Sequence, residues 1–264
     1  MSVIFLIASL VLVVGCTRVP AESDVSTPSL DAPIDAFFAI DGAFVSDDVM
    51  NAARNGAVGI ERAMNRCGDS ATLSAEQCLL GAILGNARLT TRPGTAQPID
   101  STVSSTLAHK SGTCAALVAI VLSLTEARGA PFHAVVLRDH VLLESSHHSG
   151  VFYETLQSGL RVNLELSRRE AEVVVRAGLA EYVAYYLDNL AARLALAGDL
   201  ETAERLFQQA LESAPDSARI HYNYGMFQRL FGSAESAARL VDRAYELGWP
   251  QDREGPPKTL SLLD

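Results

Sequence analysis

LAHKSGTCAALVAIVLSLTEARGAPFHAVVLRDHVLL, residues Leu107 to Leu143, contains the change of period on which the fold turns. From Cys114 to Arg128 the stretch reads as a helix, and its centre, AALVAIVLSL, is apolar nearly all round, so the helix must be buried. Gly129-Ala130-Pro131 stops it. Beyond the proline the period becomes two, in FHAVVL, then HVLLESS, then GVFYETL, with Ser149-Gly150 as a turn between the last two. Helices followed by three antiparallel strands predict an α+β fold, with a small antiparallel sheet packed on one side by the buried central helix.

Upstream, SDDVMNAARNGAVGIERAMNRCG from Ser46 to Gly68 has a polar, acidic start and a glycine stop, which predicts a helix. A second helix is expected over Ser74 to Ala87, a break at Arg92-Pro93-Gly94, and a short helix over Ser101 to Ala108. Residues 17–35 are rich in Pro, Ser and Asp without apolar periodicity, as in a flexible tether. The first sixteen residues, MSVIFLIASLVLVVGC, hold an uncharged run from Val3 to Val14 that is shorter than the ~20 apolar residues of a spanning helix and fits a signal peptide. Its end, Val13-Val14-Gly15-Cys16, resembles the bacterial lipobox. That resemblance implies lipidation of Cys16 and a protein anchored to a bacterial membrane, facing the periplasm or exterior. An uncleaved N-terminal anchor is the alternative, and both place the remainder outside the cytoplasm.

The chain has 264 residues, 48% of them hydrophobic, and a net charge of −10 from 31 acidic and 21 basic residues. Such a charge repels phosphate backbones, so nucleic acid is not an expected partner. Outside the cytoplasm the cysteines take on meaning. Cys67 and Cys78 flank the polar turn Gly68-Asp69-Ser70 and suit a local disulfide, the alternative being reduced, buried thiols. Cys114 is then the odd thiol. No zinc-type spacing is present, and neither a metal nor another cofactor is implied.

After Ser167 the chain turns helical again, with a helix expected around Glu170 to Gly178. Two segments then superimpose at a period of thirty-four residues with Ala184 over Ala218. Leu190, Ala191, Ala203, Phe207, Ala210 and Pro215 in the first match Tyr224, Gly225, Ala237, Val241 and Ala244 in the second, with Pro250 one place late. This resembles the tetratricopeptide pattern, in which small residues let paired helices approach closely. Two units bury little by themselves, so they are expected to lean on the preceding domain. The domain scheme is thus a core over 36–168, helical repeats over 169–250 and a tail over 251–264.

Cys114 follows Ser111-Gly112-Thr113 at the first turn of the central helix, where free backbone N–H groups and the helix dipole favour a thiolate and an oxyanion. Gly112 is expected to leave room for a substrate. The segment Leu107 to Leu143 resembles the transglutaminase-like (papain-like) core, especially the bacterial group that joins it to C-terminal tetratricopeptide-like repeats. In that superfamily a Cys opens the central helix, a His begins a strand after the Gly/Pro break, and an acidic residue follows on the next strand. The resemblance therefore implies Cys114 as nucleophile, His140 as general base and acid, and Glu154 as the group that orients the imidazole. Relatives usually carry Asp before an Asn-Gly-Gly-like turn, where this chain has Glu154-Thr155-Leu156-Gln157-Ser158-Gly159, so the longer Glu holds the ring less rigidly.

The remaining histidines are read as structural: His147 and His148 at a hairpin tip, His133 on a strand, His109 before the cysteine loop, and His221 in the second repeat. Two functions follow. One is cysteine-dependent hydrolysis or acyl transfer on an amide-like bond of an envelope peptide or protein. The other is an inactive scaffold whose repeats bind a peptide or protein through exposed residues such as Arg193, Tyr222, Gln228 and Arg229.

Overall fold

A computed structural model describes residues 33–68, 72–86, 89–91, 97–129, 132–137, 140–155, 160–162 and 173–250. The expected signal peptide with Cys16, the expected tether up to residue 32, the expected break at Arg92-Pro93-Gly94 and the expected tail over 251–264 lie outside the described residues. The last three residues assigned to the tether, from Pro33, already belong to a helix, α1 (Pro33–Asp41).

Helix α2 (Asp47–Met64) begins where its sequence says it should. The Ser46 hydroxyl accepts from the Val49 N–H at 3.4 Å, Asp47 and Asp48 occupy the first turn, and Arg62 the last. Met50, Ala53, Ala57, Ile60 and Met64 make its buried stripe at helical spacing. Helix α3 (Leu73–Leu80), capped by Thr72, runs into a π-helical turn at Gly81–Asn86. A disulfide between Cys67 and Cys78, with Cα atoms 5.6 Å apart, ties its last turn to the chain just past the end of α2. A 3-10 turn at Pro98–Ser101 leads into α4 (Val103–His109), which ends at Lys110 in the left-handed region, φ 58°.

The central helix α5 (Cys114–Glu126) is capped by the Thr113 hydroxyl, which accepts from Ala116 N–H at 3.4 Å, and every residue from Ala115 to Thr125 is buried. Such a helix cannot lie on a surface, and the sheet covers one side of it. Two short strands, β1 (Thr90–Thr91) and β2 (Ser111–Gly112), pair in parallel just before it. The main sheet holds five strands: β3 (Phe132–Leu137), β4 (Val141–Ser145), β5 (Phe152–Glu154), β6 (Leu160–Val162) and β7 (Val173–Ala177), in the order β6-β5-β4-β3-β7, every pair antiparallel. The fold is α+β, with more strands than the three expected. Where a helix was expected around Glu170 to Gly178, residues 173–177 instead form β7 beside β3, with Ala134 opposite Ala177. The run Val173-Val174-Val175 is β-branched and suits a pleated ladder better than a helix. The sheet therefore reaches into the span assigned to the repeats.

Four helices complete the chain: α6 (Leu179–Ala197), α7 (Leu200–Ser213), α8 (Ala218–Phe231) and α9 (Ala234–Glu246). They pack as two hairpins, α6 with α7 and α8 with α9. Small residues sit at the contacts: Ala191, Ala203 and Ala210 in the first pair are fully buried, and a side chain on Gly225 would meet Val241 Cγ2 at 2.8 Å in the second. One apolar core runs from α1 through the sheet to Ile220, Tyr224 and Phe227 of α8. Buried polar links stitch the N-terminal half to α6. Asp41 accepts from Ser104 N–H (2.7 Å), the Ser104 hydroxyl (2.8 Å) and the Tyr186 hydroxyl (2.6 Å), and Tyr186 in turn accepts from Val103 N–H (2.9 Å).

Candidate active site

Cys114 stands at the first position of α5, a half-buried free thiol on the turn whose Ala116 N–H is capped by the Thr113 hydroxyl. The loop that delivers it is fixed from behind. A Cβ on Gly112 would fall 1.9 Å from Thr106 Oγ1, so this glycine is required by α4 packing against β2. Gly112 is buried and does not open a path for substrate, contrary to expectation.

His140 lies just before β4, its carbonyl accepting from Leu137 N–H at 2.8 Å across the β3–β4 turn. Pairing of Leu143 with Tyr153 and Glu144 with Phe152 brings the start of β4 beside the end of β5. There His140 Nε2 meets Glu154 Oε2 at 2.8 Å, the two side chains 13% and 14% exposed. With Nε2 taken by the carboxylate, Nδ1 is the nitrogen left for the Cys114 thiol, which lines the same cavity as the ring. The structure thus brings all three expected site residues together. Burial by itself would push the His140 ring down, but its interaction with Cys114, its hydrogen bond to Glu154 and the negative charge each can carry outweigh it and push the ring up to about 10. The folded value lies above the ordinary 6.5. The protonated ring's contribution to stability is therefore complete below pH 6.5 and is lost as the pH rises through about 10.

The opposite wall of the cleft comes from the C-terminal helices. A cavity of about 60 Å³ is lined by Cys114 and His140 together with Tyr182, Asn189 and Arg193 of α6 and Arg219 of α8. The Tyr182 hydroxyl donates to the Ala115 carbonyl at 3.1 Å, and full burial raises its pKa well above the ordinary value, so it stays protonated. Arg219 works as a strut. Its Nη1 donates to the Leu137 carbonyl at 2.6 Å, and its Nε reaches Asp188 Oδ2 at 3.4 Å. The peptide group it holds belongs to the residue whose N–H fixes the His140 carbonyl. Asn223 Nδ2 also donates to both Asp188 oxygens, at 2.8 and 3.1 Å. Burial pushes Asp188 up to about 6 in spite of the Arg219 charge.

None of these wall residues was singled out by sequence as part of the site. Arg193, Tyr222 and Gln228, assigned there to an exposed binding surface, are all buried; only Arg229 of that group is exposed. The available signal was the presence of Asp188, Arg193 and Arg219 within otherwise buried helix faces. The other histidines stand apart from the site. His133 Nδ1 pairs with the Ser146 hydroxyl (2.8 Å), His147 Nε2 with the Gly129 carbonyl (3.3 Å) and His221 Nε2 with the Pro215 carbonyl (2.8 Å). His109 is exposed and His148 partly so. Beneath the hairpin tip Glu76 accepts from the Ser145 hydroxyl (2.6 Å) and the Tyr153 hydroxyl (2.8 Å), which ties the disulfide-linked helices to the sheet. Among the described residues no group of three or more His, Cys, Asp or Glu side chains could hold a metal ion. No protein-family model matches the chain, and no curated protein matches it either.

Proposed function

We propose that Cys114, His140 and Glu154 act as a transglutaminase-like triad that hydrolyses or transfers the acyl group of an amide-like bond in a peptide or protein. The observation that carries this reading is a single imidazole bonded to a carboxylate and sharing a cavity with a thiol at a helix N-terminus. In the first half-reaction the Cys114 thiolate attacks the carbonyl carbon, and the first-turn N–H groups of α5 face the oxyanion that forms. His140, protonated and held by Glu154, gives its proton to the leaving amine as the C–N bond breaks, leaving a thioester on Cys114. In the second, His140 takes a proton from water or an acceptor amine as that nucleophile attacks the thioester. The C–S bond then breaks and the thiolate returns.

The two C-terminal hairpins fit the tetratricopeptide-like pattern of the sequence, and we place the protein at the cell envelope as a lipoprotein anchored through Cys16. Mass spectrometry of the native N-terminus tests the anchor: an unmodified Cys16, or a chain still starting at Met1, removes it. The triad is tested by iodoacetamide alkylation of Cys114 at pH 7 in the wild type and in His140→Ala. The wild-type thiol is expected to react faster than glutathione and to slow in the variant. A thiol no faster than glutathione, or one that reacts only on unfolding, leaves the inactive scaffold as the better account.

A further inference from the structure

We infer that Arg193 is the specificity residue of this site, and that it recognises a carboxylate carried by the substrate close to the carbonyl that Cys114 attacks. The inference rests on the triad proposed above and adds a substrate class to it.

The argument begins with an imbalance. Arg193 lines the same cavity as Cys114 and His140, yet it is only 9% exposed. Buried guanidinium groups are ordinarily matched with carboxylates, because an unpaired buried charge is costly. The other buried guanidinium in the wall follows that rule, since Arg219 is paired with Asp188. Arg193 does not. Its one hydrogen bond among the described residues is a long contact from Nε to Asn189 Oδ1, 3.4 Å, and it makes no ion pair there. Burial accordingly lowers its pKa, and the nearby Cys114 only partly offsets this.

A thiolate is a poor partner for the guanidinium fork, whose parallel N–H groups match the two oxygens of a carboxylate. In a chain of net charge −10, a buried cation at the cavity wall is also the feature that would draw an anion inwards. The cavity between Arg193 and Cys114 is small, about 60 Å³, so the carboxylate it accepts must lie near the reacting carbonyl. Asn189, one turn before Arg193 on the same helix, holds the fork from behind and leaves its terminal nitrogens to the ligand.

Two alkylating probes of nearly equal size test this on the full chain. Iodoacetate and iodoacetamide both lose iodide to the Cys114 thiolate, but only iodoacetate carries a carboxylate next to the reacting carbon. The ratio of their rate constants, divided by the same ratio for glutathione at equal pH and salt, should be at least about tenfold in the wild type. It should fall about tenfold in Arg193→Gln. Arg193→Lys keeps charge and stem without the fork, serves if the glutamine variant fails to fold, and should cut the ratio at least about threefold. A wild-type ratio equal to that of glutathione overturns the inference and leaves the triad standing. So does a high ratio unchanged in either folded variant, which would assign the preference to the His140 cation. A Cys114 unreactive to both probes in the folded protein overturns the triad and the inference together.

Discussion

On the strand side of the cleft His140 and Glu154 stand fourteen residues apart and meet across neighbouring strands. On the helical side Arg219 reaches the Leu137 carbonyl from eighty-two residues away. The first wall is held by backbone register, in which many hydrogen bonds share the task of placing one side chain. The second depends on a few buried charges that must find each other through folding. The two walls should therefore fail differently: a change on the strand side alters the reactivity of Cys114 directly, and a change on the helical side acts on stability first.

The largest effect is expected from Arg219→Met, which leaves Asp188 buried with only Asn223 and removes the donor to Leu137. Urea unfolding should show a loss of about 3 to 5 kcal/mol. A loss below about 1 kcal/mol would mean that the helical wall is held by apolar packing alone. Next comes a pH effect that separates the walls. Asp188, raised to about 6 from 3.8, contributes stability that is complete below pH 3.8 and lost as the pH rises through about 6. Each pK unit is about 1.4 kcal/mol, so Asp188→Asn should flatten the stability curve in that window by up to about 3 kcal/mol. The His140 window, from 6.5 to about 10, should stay as it is.

His140→Ala should slow alkylation of Cys114 at pH 7 about a hundredfold, equivalent to about 2.7 kcal/mol. If alkylation is unaffected, the nucleophile stands without its base. Glu154→Gln should slow it about tenfold, since the amide still holds the ring but loses the charge that favours its cation. An effect of Glu154→Gln equal to that of His140→Ala would make the carboxylate as important as the ring and erase the grading.

What the sequence showed follows the same division. Strands β3 to β5, the start of α2 at Ser46, the Cys67–Cys78 pairing and the meeting of His140 with Glu154 all rest on patterns within a few dozen residues. Strand β7 was read as helix because the charged run before Val173 masked a short β-branched segment whose identity comes from pairing with β3. Arg193 was taken for a surface residue because arginine usually is one, and nothing near it in the chain marks the cavity it lines. Gly112 was taken as an opening because glycine permits close approach, and the structure shows that the approaching group is Thr106.

The Arg219 strut also imposes an order in time. A chain that grows from its N-terminus exposes Cys114, His140 and Glu154 well before α8 has emerged, so the three can meet while the helical wall is still missing. Until Arg219 arrives, the Leu137 carbonyl lacks this donor. A chain cut short before residue 219 would carry Cys114, His140 and Glu154 in an unfinished pocket. Completion of the last two helices is thus the step that turns an assembled set of reactive groups into a shaped site.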